Sequence, residues 1–76
     1  MQGRFDELID LLRKTIELEP SYPDAHNNLG NALKRQGDLT AAIASYNTAL
    51  QLQPNYPDAH YNLGNALQEQ GDLKAA

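Results

Sequence analysis

A chain of 76 residues is bounded to one small domain with a modest core. Ten acidic against six basic side chains give a net charge of −4. That balance disfavours a nucleic-acid backbone as partner, since phosphate binding draws on a surplus of Lys and Arg. There is no cysteine, hence no disulfide and no thiolate site, and no apolar run approaches the ~18 residues that span a bilayer. A cysteine-free chain fits a reducing compartment, so the expected location is cytoplasmic. Residues 1–5 lack the apolar stretch of a signal peptide, and Gln2 stands where N-myristoylation requires Gly.

In chain order, the first predicted element is an amphipathic helix over residues 4–18, with Phe5, Leu8, Ile9, Leu12 and Ile16 on one face. The second runs from Asp24 to Gln36. Pro23 suits a first helical position, where its missing N–H would be unpaired in any residue, and Asp24 places negative charge at the positive end of the dipole. Leu29, Leu33, Ala25 and Ala32 mark its apolar stripe. Gly37-Asp38 predicts a break, Gly as helix stop and Asp as N-cap. A third helix over Leu39–Leu52 turns Leu39, Ala42, Ile43, Tyr46, Ala49 and Leu50 inward, and Pro54 and Pro57 close it. A fourth over Asp58–Gln70 repeats the second. A second Gly-Asp pair at 71–72 then predicts another break and the start of a further helix at Leu73. No strand pattern occurs.

These elements repeat. Residues 20–42 and 54–76 are identical at 18 of 23 positions with an offset of 34. Gly3, Ile9, Leu18, Pro20 and Tyr22 echo Gly37, Ile43, Leu52, Pro54 and Tyr56 at the same offset. A fixed period of this size marks a stacked repeat in which each unit buries its apolar face against its neighbours. The expected organisation is a single domain: residues 1–22 a lone second helix of a partial repeat, 23–56 a full repeat, and 57–76 the first helix of a further repeat with a stub.

The run Asn28-Leu29-Gly30-Asn31-Ala32-Leu33, then Gln36-Gly37-Asp38, Ala42-Ile43, Tyr46, Ala49-Leu50 and Leu52-Gln53-Pro54 resembles the tetratricopeptide repeat over nearly the whole chain. The resemblance implies an all-α fold, an α-solenoid of antiparallel helix pairs wound into a right-handed superhelix. It gives Gly30 and Gly64 a packing role against small residues of the second helix, Ala42 and Ala49, with Tyr46 and Pro54 also structural. The sequence departs from the family where His26 and His60 replace an early aromatic, where Leu33 and Leu67 replace a later one, and where Leu8 and Thr15 fill small positions. His26 and His60 with Asn28 and Asn62 look like the repeats attached to O-linked N-acetylglucosamine transferases and those of many bacterial repeat proteins.

By the same resemblance the first helices line a concave groove. Asp24, Asn27, Asn31, Lys34 and Arg35 would face it, and Asp58, Tyr61, Asn65, Gln68 and Glu69 one repeat later. Asn28 and Asn62 match asparagines of the inner face in the glycosyltransferase-type repeats. An Asn amide offers two donors and an acceptor, so it suits the backbone of an extended peptide. The alternative is that these amides satisfy helix ends or inter-repeat groups. Capture of a C-terminal carboxylate needs cations, and Asn27, Asp24, Asp58 and Asn62 fill the positions where they would stand. Two histidines without a third ligand argue for packing rather than a metal, and nothing in the sequence implies a cofactor or a catalytic constellation. The functional expectation is therefore a non-enzymatic module that binds a protein or extended peptide in an Asn-lined groove, with no nucleic acid or membrane as partner. Two alternatives stand beside it: a structural segment that self-associates head to tail through Phe5, Ile9 and Leu12 at one end and Leu63 and Leu67 at the other, or the non-catalytic arm of a larger enzyme.

Overall fold

Proline and glycine set the boundaries of four helices. In the computed structural model, which describes residues 2–75 and the side chains of residues 4–73, these are α1 (Gln2–Leu18), α2 (Pro23–Gln36), α3 (Leu39–Leu52) and α4 (Pro57–Ala75). No strand occurs among the described residues. Pro23 opens α2 at its first turn after an extended Tyr22. The turn before it is held by the Tyr22 N–H donating to the Glu19 carbonyl at 3.3 Å.

The link between α2 and α3 is the tightest in the chain. Gly37 adopts φ 97° and ψ 4°, a left-handed conformation that costs a side-chain-bearing residue about 1–2 kcal/mol. Its N–H donates to the Lys34 carbonyl at 3.0 Å, and the Asp38 N–H donates to that of Leu33 at 2.9 Å, covering carbonyls the helix end would leave bare. Asp38 then caps α3, its Oδ1 accepting from the Ala41 N–H at 3.2 Å.

The second Gly-Asp pair behaves differently. The expected break at Gly71-Asp72, with a new helix from Leu73, is overturned: α4 continues to Ala75. Gly37 is the only residue with positive φ among those described. At Gly37 the strain of reversal is offset by fourteen residues of α3 packing back on α2. At Gly71 the helix keeps the i→i−4 bonds that a reversal would forfeit. The far end of the expected stub, Ala76, lies outside the described residues.

The core forms on α2, which packs against α1, α3 and α4. Ile9, Leu29, Ala32, Leu33, Ala42, Tyr46 and Ala66 make one buried cluster, with Leu12, Ile16, Leu39, Ile43 and Leu63 against its edge. Ala42, Tyr46 and Ala49 are fully buried on α3. The Cα trace measures 40 × 33 × 14 Å. The short dimension matches two helix axes about 8–10 Å apart, so the molecule is a slab one helix pair deep.

Candidate functional site

The close approach of α2 and α3 depends on Gly30. A Cβ placed there would lie 2.5 Å from Tyr46 Cε1 and 2.7 Å from Cδ1. The nearest contact is therefore glycine against the ring of Tyr46. The Tyr46 hydroxyl emerges past Gly30 and donates to Asn31 Oδ1 at 2.6 Å. Burial pushes the Tyr46 phenol up, and the Glu69 carboxylate pushes it the same way, so the hydroxyl keeps its proton at neutral pH. Asn31 is exposed, yet its amide orientation is set from below by a buried group. With Oδ1 engaged, the Nδ2 donors remain for a partner.

Around Asn31 the expected groove residues divide into two groups. Asn28, Arg35, Asp58, Tyr61, Gln68 and Glu69 are exposed, and Asn65 is half-buried. The others are engaged within the fold. Asn27 is only 5% exposed, and its Oδ1 accepts from Asn62 Nδ2 at 3.1 Å. Asn27 is therefore corrected from a groove contact to an inter-repeat tie, because a buried amide needs an internal partner and Asn62 supplies it. Lys34 Nζ pairs with Glu69 Oε1 at 3.1 Å across the α2–α4 seam. Asp24 Oδ1 accepts from the Tyr56 hydroxyl at 2.7 Å. Burial, reinforced by that bond, pushes the Tyr56 phenol up to about 12.

Two further expectations change. Ile9, assigned to a self-association face, is 5% exposed and belongs to the core, since it packs inward from α1. Leu63 is half-buried against the same core, whereas Leu67 is 49% exposed. Each histidine bonds to the loop before its helix. His26 Nε2 lies 3.0 Å from the Pro20 carbonyl and His60 Nε2 lies 2.8 Å from that of Pro54. A carbonyl only accepts, so Nε2 carries the proton in both, and each ring staples its helix to the preceding turn. Among the described residues no group of three His, Cys, Asp or Glu gathers to hold a metal.

An open cleft of about 520 Å³ joins these side chains to α1. Asn28, Asn31, Lys34 and Arg35 of α2 and Glu69 of α4 form its polar side, and Phe5, Leu8 and Leu12 of α1 its apolar wall. That wall is what residue-by-residue reading of the groove missed. Its signal is present at Leu8, a large residue at a small-residue position, 43% exposed.

Fold and cleft together define a stacked all-α repeat with an open cleft along one face. A sequence profile described as TPR repeat matches the chain twice, over residues 1–37 and 30–71. The chain belongs to the tetratricopeptide (TPR) repeat family. Repeats of this family generally mediate protein–protein interaction and are typically non-catalytic. No curated protein matches the chain. No described helix is long and apolar enough to cross a membrane.

Proposed function

We propose that the face of α2 and α4 bearing Asn31 and Asn65 binds an extended segment of a partner protein through its main chain. The observation that carries this reading is the fixed amide of Asn31, exposed to the partner and held by the buried Tyr46 hydroxyl. A donor whose orientation is already set loses little entropy on binding. Asn65 stands one 34-residue period on, so a peptide crossing from α2 to α4 meets the same donor type twice. The likeness of the exposed Asn28 to the inner-face asparagines of the glycosyltransferase-type repeats supports main-chain rather than side-chain reading. Arg35 and Glu69 lie at the edge with opposite charges, which favours a segment of mixed charge over an anionic one.

The test is selection of a displayed random-peptide library on the 76-residue chain, followed by affinity measurements with Asn31→Ala, Asn65→Ala and the double variant. Each lost hydrogen bond should weaken the selected peptides by about 0.5–1.5 kcal/mol. Helix content should hold or rise, because Ala is the better helix former. Peptides that bind the double variant as tightly as the parent contradict the reading.

A further inference from the structure

An amide side chain is flat and two-ended, with donors on its nitrogen and an acceptor on its oxygen, so fixing one end decides which end faces outward. Two asparagines near the α2–α4 seam are fixed by opposite ends. On α2 the Asn31 oxygen accepts from the Tyr46 hydroxyl at 2.6 Å, which leaves the NH₂ to the open face. On α4 the Asn62 nitrogen donates to Asn27 Oδ1 at 3.1 Å. Its oxygen has no partner among the described residues. No buried side-chain nitrogen or oxygen there lacks a hydrogen bond, so the Asn62 oxygen reaches solvent. The direction of this second tie follows from Tyr56. Its hydroxyl gives its proton to Asp24 Oδ1 at 2.7 Å. Asn27 bonds the same phenol and acts to lower its pKa, as a donor to the oxygen does. The Asn27 nitrogen is thus spent on Tyr56, and its oxygen is turned to Asn62. All these contacts join α2 to α3 and α4, and none uses α1.

We infer that the seam reads both main-chain groups of a bound segment: Asn31 donates to a carbonyl, and Asn62 accepts from an N–H. The inference rests on the peptide reading proposed above and narrows it. Each residue of a peptide other than proline carries one donor and one acceptor, so an outward donor on one helix and an outward acceptor on the next match it without touching its side chains. Two outward donors would hold carbonyls alone and admit a polyproline segment. Proline has no N–H, nor has any N-alkylated residue, and the Asn62 oxygen would then lose its partner. The ligand class is therefore an extended segment with a secondary amide, and not proline, at the residue facing Asn62.

The test uses a peptide selected on the 76-residue chain. Its main-chain nitrogens are N-methylated one at a time, and affinities are measured by calorimetry for the parent, Asn62→Ala and Asn31→Asp. Methylation removes one N–H and keeps every carbonyl. At one position it should weaken binding to the parent on the order of tenfold and cost Asn62→Ala nothing further. Selected peptides should carry no proline at that position. Asn31→Asp keeps the bond from Tyr46 and turns an oxygen outward where the NH₂ stood, so the unmodified peptide should bind it about tenfold more weakly. Methylation that costs the parent and Asn62→Ala alike at every position overturns the inference, as does parent-like binding by Asn31→Asp. If Asn62→Ala fails to fold, the side-chain ¹³Cγ resonance of Asn62 in the parent replaces it, and a resonance unmoved by saturating peptide counts against the contact. Failure of the peptide reading itself is separate: peptides then bind the Asn31→Ala/Asn65→Ala variant as tightly as the parent, and the inference falls with it.

Discussion

At Gly30 the missing Cβ decides how near α3 can come, because the occupant of that space is the ring of a fully buried Tyr46. Gly30→Leu has no flexible neighbour to displace. Overpacking of this kind costs about 1–3 kcal/mol, a large share of the ~5 kcal/mol a small domain has. A thermal melt should show partial or complete unfolding at temperatures where the parent is intact, and an unchanged midpoint would contradict the account. Tyr56 gives a second handle. Its phenol sits at 10.0 in the unfolded chain and about 12 in the fold, raised by burial and then by Asp24. The folded state therefore holds the proton more tightly. Its contribution is complete below pH 10 and is lost as pH rises from about 10 to about 12. Tyr56→Phe should flatten that part of the stability–pH curve, and urea melts across the window read it directly. Asn27 shows where residue-level reading of the sequence stops. Asn27 and Asn28 are adjacent and chemically identical, and the resemblance assigns both to the inner face. Only the rotation of α2 against α4 decides that Asn27 meets Asn62 and Asn28 meets solvent.

At the scale of elements, two Gly-Asp pairs one period apart take opposite conformations. Gly37 reverses the chain and Gly71 stays helical. The local sequence is the same, so local propensity cannot be the cause; the reversal at Gly37 accompanies the packing of α3 back on α2. Gly37→Ala forces a left-handed Ala and should destabilise by about 1–2 kcal/mol. Gly71→Ala replaces a helical glycine and should stabilise by about 0.5–1 kcal/mol. Urea denaturation of the two variants should move the midpoint in opposite directions, and a shift of the same sign in both would refute the continuous α4. Helix boundaries elsewhere were legible because each rests on a residue with one physical option: Pro23 and Pro57 as helix starts, Asp38 as a cap.

For the molecule as a whole, the period of 34 residues carried most of the fold, since each unit contacts mainly its neighbours and repeats its contacts. The stacked helix pairs and the core on α2 follow from that period and from the apolar stripes. The cleft was less legible. Its apolar wall comes from α1 and its amides from α2 and α4, and no sequence spacing expresses that junction. The division of the asparagines into ties and exposed donors likewise arises only once the helices are packed. That division also supplies the measurement that tests the central claim most directly. With side-chain amides resolved by ¹⁵N–¹H correlation spectroscopy, a selected peptide is titrated into the folded chain. The account predicts that the Asn31 and Asn65 Nδ2 signals move with peptide concentration while that of the buried Asn27 stays fixed. Shifts confined to α1 around Arg13 and Lys14, with Asn31 and Asn65 unmoved, would contradict it.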